Sequence, residues 1–108
     1  MFLYFFISSD LRYIKIGRTK SISQRYNDIK RNVPFDLNIV AFFPIAKYKE
    51  EKNLLLKISE FRVNNKSEWF CGSHYENVLS HFVCCYKRYR AWPKNNSDEL
   101  YGLSNYFL

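Results

Sequence analysis

Glycine and proline are scarce in this chain, three of each in 108 residues, and it has no repeat or low-complexity segment. With 47% hydrophobic and 19% aromatic residues, that composition excludes a disordered chain and has room for one core and a short tail. Cysteine is sparse too. Cys71, Cys84 and Cys85 are odd in number and the last two are adjacent, so free thiols in a reducing compartment are expected, not a disulfide framework. His74, His81 and these cysteines lack a C-x2-C pair, which argues against a tetrahedral zinc site. Long apolar runs are missing as well. The opening MFLYFFIS has no basic region before it and no small-residue cleavage site after it, and no stretch approaches the ~18 apolar residues of a membrane span. The expectation is an intracellular protein that is neither secreted nor membrane-bound.

The last deficit is acidic. Ten Asp and Glu face 17 Lys and Arg, giving a net charge of +7. Such an excess favours a polyanionic partner, nucleic acid before an acidic membrane surface.

Residues 2–8 are apolar and aromatic, Ser-Ser-Asp-Leu-Arg interrupts, and Tyr13-Ile-Lys-Ile-Gly17 alternates, so a β-hairpin opens the chain. Ser21 and Gln24 have the spacing of a capping box, starting a helix that runs to about Asn32 with Ile22, Tyr26 and Ile29 inward. Leu37 to Phe43 reads as a strand between prolines. A second helix is expected from about Tyr48 to Phe61 on a stripe of Leu54, Leu55 and Ile58. Glu68-Trp69-Phe70 is a short extended piece, and a third helix starts near Ser73 with Val78, Phe82 and Cys85 inward. The order ββαβα(β)α predicts an α+β fold: a small mixed, mainly antiparallel sheet flanked by about three helices. The domain is placed at 1–90, and 91–108 forms a C-terminal tail that packs on it or stands apart.

Register decides which side chains meet. With a loop over Ser9–Arg12, facing residues of the hairpin sum to 21, so Tyr4 opposes Gly17 and Lys15 shares the Tyr4 face. A phenol and an ammonium then stand beside a gap where Gly17 has no side chain. A solvated face is the plainer account of that pair. Arg25 borders the buried stripe of the first helix, where its planar guanidinium can hold a phosphate or simply snorkel. Glu51 falls on the centre line of the second helix's apolar stripe, with Glu50 turned roughly 100° away. It either favours the helix N-terminus or points into a cleft and holds a metal ion. Glu68 is a second carboxylate set among aromatics.

In order and spacing these residues resemble the GIY-YIG endonuclease superfamily. Phe2-Leu3-Tyr4, Lys15-Ile16-Gly17 and Arg25 are similar to its two strand motifs and its helix arginine, and Glu51 to its metal-binding glutamate. Tyr13 to Thr19, together with Ser67-Glu-Trp-Phe70, resembles the branch of small phage and large-DNA-virus DNA-binding domains with KIG-R-T and E-W-F motifs. The resemblance covers about residues 2–82. It implies hydrolysis of DNA phosphodiester bonds: Tyr4 orients or activates the attacking water, Arg25 stabilises phosphate charge, and Glu51 binds Mg²⁺ or Mn²⁺ that serves the leaving oxygen. Two positions depart from the patterns. Lys15 stands where the second motif has tyrosine, as a phosphate ligand or a base, and Leu55 stands where the branch often has histidine. The nucleases' late asparagine is matched only by Asn64 or Asn65 as candidates. Arg12, Arg18, Lys20, Lys30 and Arg31 are the candidate DNA contacts, for double-stranded DNA, with Lys87, Arg88 and Arg90 extending the charge. The alternatives are an inactive DNA-binding module on the same fold, or a nucleic-acid or protein adaptor. A composition rich in Phe, Tyr, Ile, Asn and Lys leans toward a phage, a large DNA virus or an AT-rich microbe, and for a virus the compartment extends to the host nucleus.

Overall fold

The computed structural model describes residues 1–45 and 47–89. The predicted tail at 91–108 lies outside the described residues, as do Arg90 and the side chain of Arg88. Strands β1 (Phe2–Ser8) and β2 (Tyr13–Thr19) form the opening hairpin. Helix α1 (Ile22–Asn32), strand β3 (Leu37–Pro44), helix α2 (Tyr48–Lys57), strand β4 (Trp69–Cys71) and helix α3 (Tyr75–Tyr89) follow. The sheet has the order β3-β1-β2-β4, and all its pairings are antiparallel.

The hairpin turn is fixed by a buried hydroxyl. Ser8 Oγ donates to Asp10 Oδ1 at 2.6 Å and accepts the Arg12 and Tyr13 N–H groups at 3.1 and 3.0 Å. Leu11 takes a left-handed conformation at φ 63°, a strain that this network offsets. Gly72 closes on the turn from β4, and a Cβ there would meet the Leu11 carbonyl oxygen at 1.8 Å. The resulting register pairs Tyr4 with Gly17, as the loop length predicts.

Alternation then sends the two faces into different cores. Leu3, Phe5, Ile7, Ile14 and Ile16 join Leu54, Ile58, Val78 and Phe82 of the α2 and α3 side. Phe82 meets Phe5 and Phe43 edge-to-face, with centroids 5.4 and 5.2 Å apart. Such contacts contribute about 0.5–1.5 kcal/mol each beyond burial. On the other face Tyr4, Phe6 and Leu37 lie under Ile29 of α1. A bulge in β3 skips Val40 in the pairing and brings Val40, Ala41 and Phe43 all to the α2–α3 side.

Two local expectations are corrected. Ser21 caps α1 by accepting the Gln24 N–H, but Thr19 Oγ1, not the Gln24 side chain, accepts the Ser21 N–H. Helix α2 stops at Lys57, and Ser59–Phe61 form a separate single 3₁₀ turn. Ser59 Oγ donates to the Leu56 carbonyl at 3.0 Å there, a local bond that competes with continued helix. No disulfide joins Cys71, Cys84 and Cys85. Among the described residues no helix is long and apolar enough to cross a membrane.

Candidate functional site

Strand β4 is only three residues long and pairs with Tyr13–Lys15, so the rest of β2 from Ile16 onward lies at a sheet edge. A cleft of about 310 Å³ opens at that edge. Tyr4 and Arg25 enter it from the α1 side and Glu51 from α2, while Lys15, Gly17 and Arg18 come from β2 itself.

Tyr4 is 1% exposed and stacks on Phe6 at 4.4 Å. Its ring lies over Gly17, where a Cβ would come within 2.5 Å of the phenolic oxygen, so residue 17 accepts no larger side chain while the tyrosine holds this position. Arg25 Nε donates to Tyr4 Oη at 3.2 Å. The orientation of α1 that permits this is set by Tyr26, whose hydroxyl donates to the Leu37 carbonyl on β3. Burial raises the Tyr4 pKa above its ordinary value, outweighing the hydrogen bond and charge of Arg25, which lower it. The bond to Tyr4 in turn raises that of Arg25. At neutral pH the pair is therefore a proton-bearing phenol whose oxygen is already engaged, leaving its O–H to point elsewhere, and a permanent cation.

Lys15 is not on a solvated face. It is 6% exposed, its ammonium donates to Glu68 Oε2 at 2.8 Å, and it lies 5.6 Å from the centre of the Trp69 ring. The hydrogen bond from Lys15 and then its charge hold the Glu68 carboxyl below the ordinary range.

Glu51 accepts from Arg18 Nε at 3.1 Å, and Arg18 lies 4.1 Å from the centre of the Tyr48 ring. The Glu51 side chain is 12% exposed. The expected centre line of α2 is corrected: Glu50, at 5% exposure, is buried more deeply than Glu51. Glu50, Leu54 and Ile58 repeat every four residues and form the buried line, whereas Glu51 and Leu55 flank it toward the cleft.

Six of the sequence candidates thus meet in one cleft, namely Tyr4, Lys15, Arg18, Arg25, Glu51 and Glu68. The others do not join them. Arg12 sits at the hairpin turn, 3.9 Å from Asp10, and Lys20 is exposed just before α1. Lys30 lies 5.7 Å from the Tyr26 ring centre, Arg31 pairs with Asp28, and both line a shallow depression along α1. Arg62 was not singled out by sequence pattern. It lines the cleft because Arg62 Nη1 donates to the Ser67 carbonyl at 2.6 Å, a contact formed across an irregular loop with no periodicity to reveal it.

The family model of the T5orf172 domain matches residues 1–97. The chain belongs to the T5orf172 domain family. That family is phage-associated and nuclease-like, in agreement with the coarse part of the resemblance carried by the motifs. No curated protein and no solved structure matched the chain.

Proposed function

We propose that this T5orf172 domain protein is a DNA-binding endonuclease of the GIY-YIG type that hydrolyses phosphodiester bonds with the help of a divalent metal ion. The observation that carries the reading is the meeting of Tyr4, Arg25 and Glu51, from three separate elements, in one cleft at an open sheet edge. Arg25 binds a non-bridging phosphate oxygen through the guanidinium nitrogens that Tyr4 does not use. The Tyr4 hydroxyl orients the attacking water, and Lys15 adds fixed positive charge beside the phosphate. Arg12, Arg18, Lys20, Lys30 and Arg31 supply sequence-independent contacts along double-stranded DNA.

The donor set suits Mg²⁺ or Mn²⁺. Among the described residues no three His, Cys, Asp or Glu side chains cluster, but Mg²⁺ is commonly held by one or two carboxylates and completes its shell with water and phosphate oxygens. Glu51 would be the ligand, with one oxygen engaged by Arg18. An ion held there would supply Lewis-acid stabilisation of charge on the leaving oxygen.

Incubation of supercoiled plasmid with Mg²⁺ or Mn²⁺ tests this. Wild-type protein is expected to nick the plasmid, and Arg25→Ala and Glu51→Ala are expected to bind DNA without nicking it. A wild-type protein that shifts DNA in a gel yet cuts it with neither metal ends the nuclease reading.

A specific observation favours a second reading, a DNA-binding module without turnover. Both carboxylates of the cleft are engaged by cations, Glu51 by Arg18 and Glu68 by Lys15. The same assay separates the two readings.

A further inference from the structure

A second depression, of about 200 Å³, has a different chemistry. It is lined by Tyr13, Val33, Phe35, Val63, Ser67 and Trp69. Phe35 stacks on Tyr13 with centroids 5.5 Å apart and planes 20° from parallel. Trp69 stands edge-on to Phe35 at 5.7 Å and to Tyr13 at 6.5 Å. These three rings are half-buried, and Val63 beside them is 41% exposed. Phe35, Trp69 and Val33 pack against the Tyr4–Phe6–Ile29–Leu37 core, and the half-burial of the rings leaves part of each open to the depression.

Its position links it to the cleft. A groove of about 250 Å³ along α1 shares Lys15 and Arg25 with the cleft, and Val33 and Trp69 with the aromatic pocket. One end of this path is cationic and the other is aromatic. Exposed Arg12 and Lys66 directly precede the pocket residues Tyr13 and Ser67; against them stand Asp36 after Phe35, Glu68 between Ser67 and Trp69, which Lys15 pairs, and Asp28 of the groove, which Arg31 pairs. A nucleotide has the same two ends, an anionic phosphate and a flat ring with a π face. Inside a perfect duplex that ring is paired and stacked, out of reach of a protein pocket. An unpaired base is free to turn out, and aromatic side chains bind it with little regard to sequence.

We infer that the aromatic pocket receives an unpaired nucleobase from the DNA whose phosphate occupies the cleft. The preferred ligand class is then a duplex carrying an unpaired nucleotide, at a bulge, flap or branch, and not a perfect duplex. The inference rests on the phosphate-binding reading of the cleft.

The chain has two tryptophans, so Trp92→Phe leaves Trp69 as the sole reporter. This full-length variant is titrated, with divalent metal chelated, against two duplexes that differ only by one unpaired thymidine. The bulged duplex is expected to quench Trp69 emission and to bind roughly tenfold tighter, within the range that stacking one base on an aromatic ring provides. Phe35→Leu keeps apolar bulk but removes a ring, and is expected to lose most of that preference while holding its affinity for the perfect duplex. Val63→Gln, at the exposed rim, is expected to do the same without touching the core. Equal binding of both duplexes with no quench overturns the inference and leaves the cleft reading intact. Binding of neither duplex overturns both. An emission change that depends on protein concentration alone assigns the pocket to a second copy of the chain and overturns the inference.

Discussion

The Tyr4 ring passes over the α-carbon of Gly17 on the neighbouring strand, and a methyl group at residue 17 would lie 2.5 Å from the phenolic oxygen and 2.8 Å from Cζ. Tyr4 has little space to retreat into, since Phe6 stacks behind it and the side chain is buried. Gly17→Ala is therefore expected to destabilise the fold by about 1–3 kcal/mol through overpacking and to misalign the phenol. Urea denaturation measures the first effect. The nicking rate at a temperature where the variant remains folded measures the second, and an unchanged rate would remove Tyr4 from the chemistry.

Arg25 is a fork whose Nε is used by Tyr4 and whose terminal nitrogens remain for a phosphate. Arg25→Lys keeps the charge and loses the fork. It is expected to cut nicking by roughly 10²-fold, the scale for losing one aligned charge-stabilising group, while weakening duplex binding far less. Single-turnover cleavage beside a gel-shift titration checks the split. Equal losses in both would make Arg25 a binding residue only.

Arg18 holds Glu51 in this structure, and under the proposed function a metal ion would have to compete with it for that carboxylate. Removing the guanidinium in Arg18→Ala frees both carboxylate oxygens, so Mn²⁺ binding to the DNA-free protein is expected to tighten, read by paramagnetic resonance of the free ion. Glu51→Gln is expected to abolish that gain. Equal Mn²⁺ binding in wild type and Arg18→Ala would place the ion elsewhere.

The Lys15–Glu68 pair gives an acid-limb signature. The hydrogen bond from Lys15 depresses the folded-state pKa of Glu68 below its ordinary value of 4.5, so its contribution is complete above that pH. It is lost as pH falls through the lower folded-state value. Melting temperatures taken from about pH 7 down to about pH 3 are expected to fall more steeply for wild type than for Glu68→Gln below about pH 4.5. Parallel curves would mean that the pair does not persist in solution.

Lys30 and Arg31 lie outside the cleft, so their effect should be electrostatic and insensitive to DNA sequence. If both touch phosphates, the double alanine variant is expected to reduce the slope of log K against log salt by about 1.8 for B-DNA. Binding isotherms over a salt series measure it.

Much of this arrangement was legible in the sequence because strand geometry is strict. A loop of known length fixes facing pairs, and the pairing of Tyr4 with Gly17 and the inward Ile14 and Ile16 followed from counting alone. Helical phase was less well determined. A stripe defined by three residues leaves its centre uncertain by a fraction of a turn, and Glu50 proved more buried than Glu51. Pairings across long separations were illegible. Lys15 with Glu68 and Arg18 with Glu51 arise where elements end and meet, and neither composition nor periodicity records where a three-residue strand will stop.

Ser8 is roughly 13 Å along β1 from Tyr4, yet its hydroxyl anchors the turn whose length sets what Tyr4 faces. In a period-two strand a shift of one residue exchanges the two layers, putting Leu3 or Phe5 over Gly17 and the phenol among the aliphatic side chains of α2 and α3. The turn thus acts as an index mark for the whole hairpin. Ser8→Ala would erase that mark and leave the register to the two buried layers and to the pairing with β3.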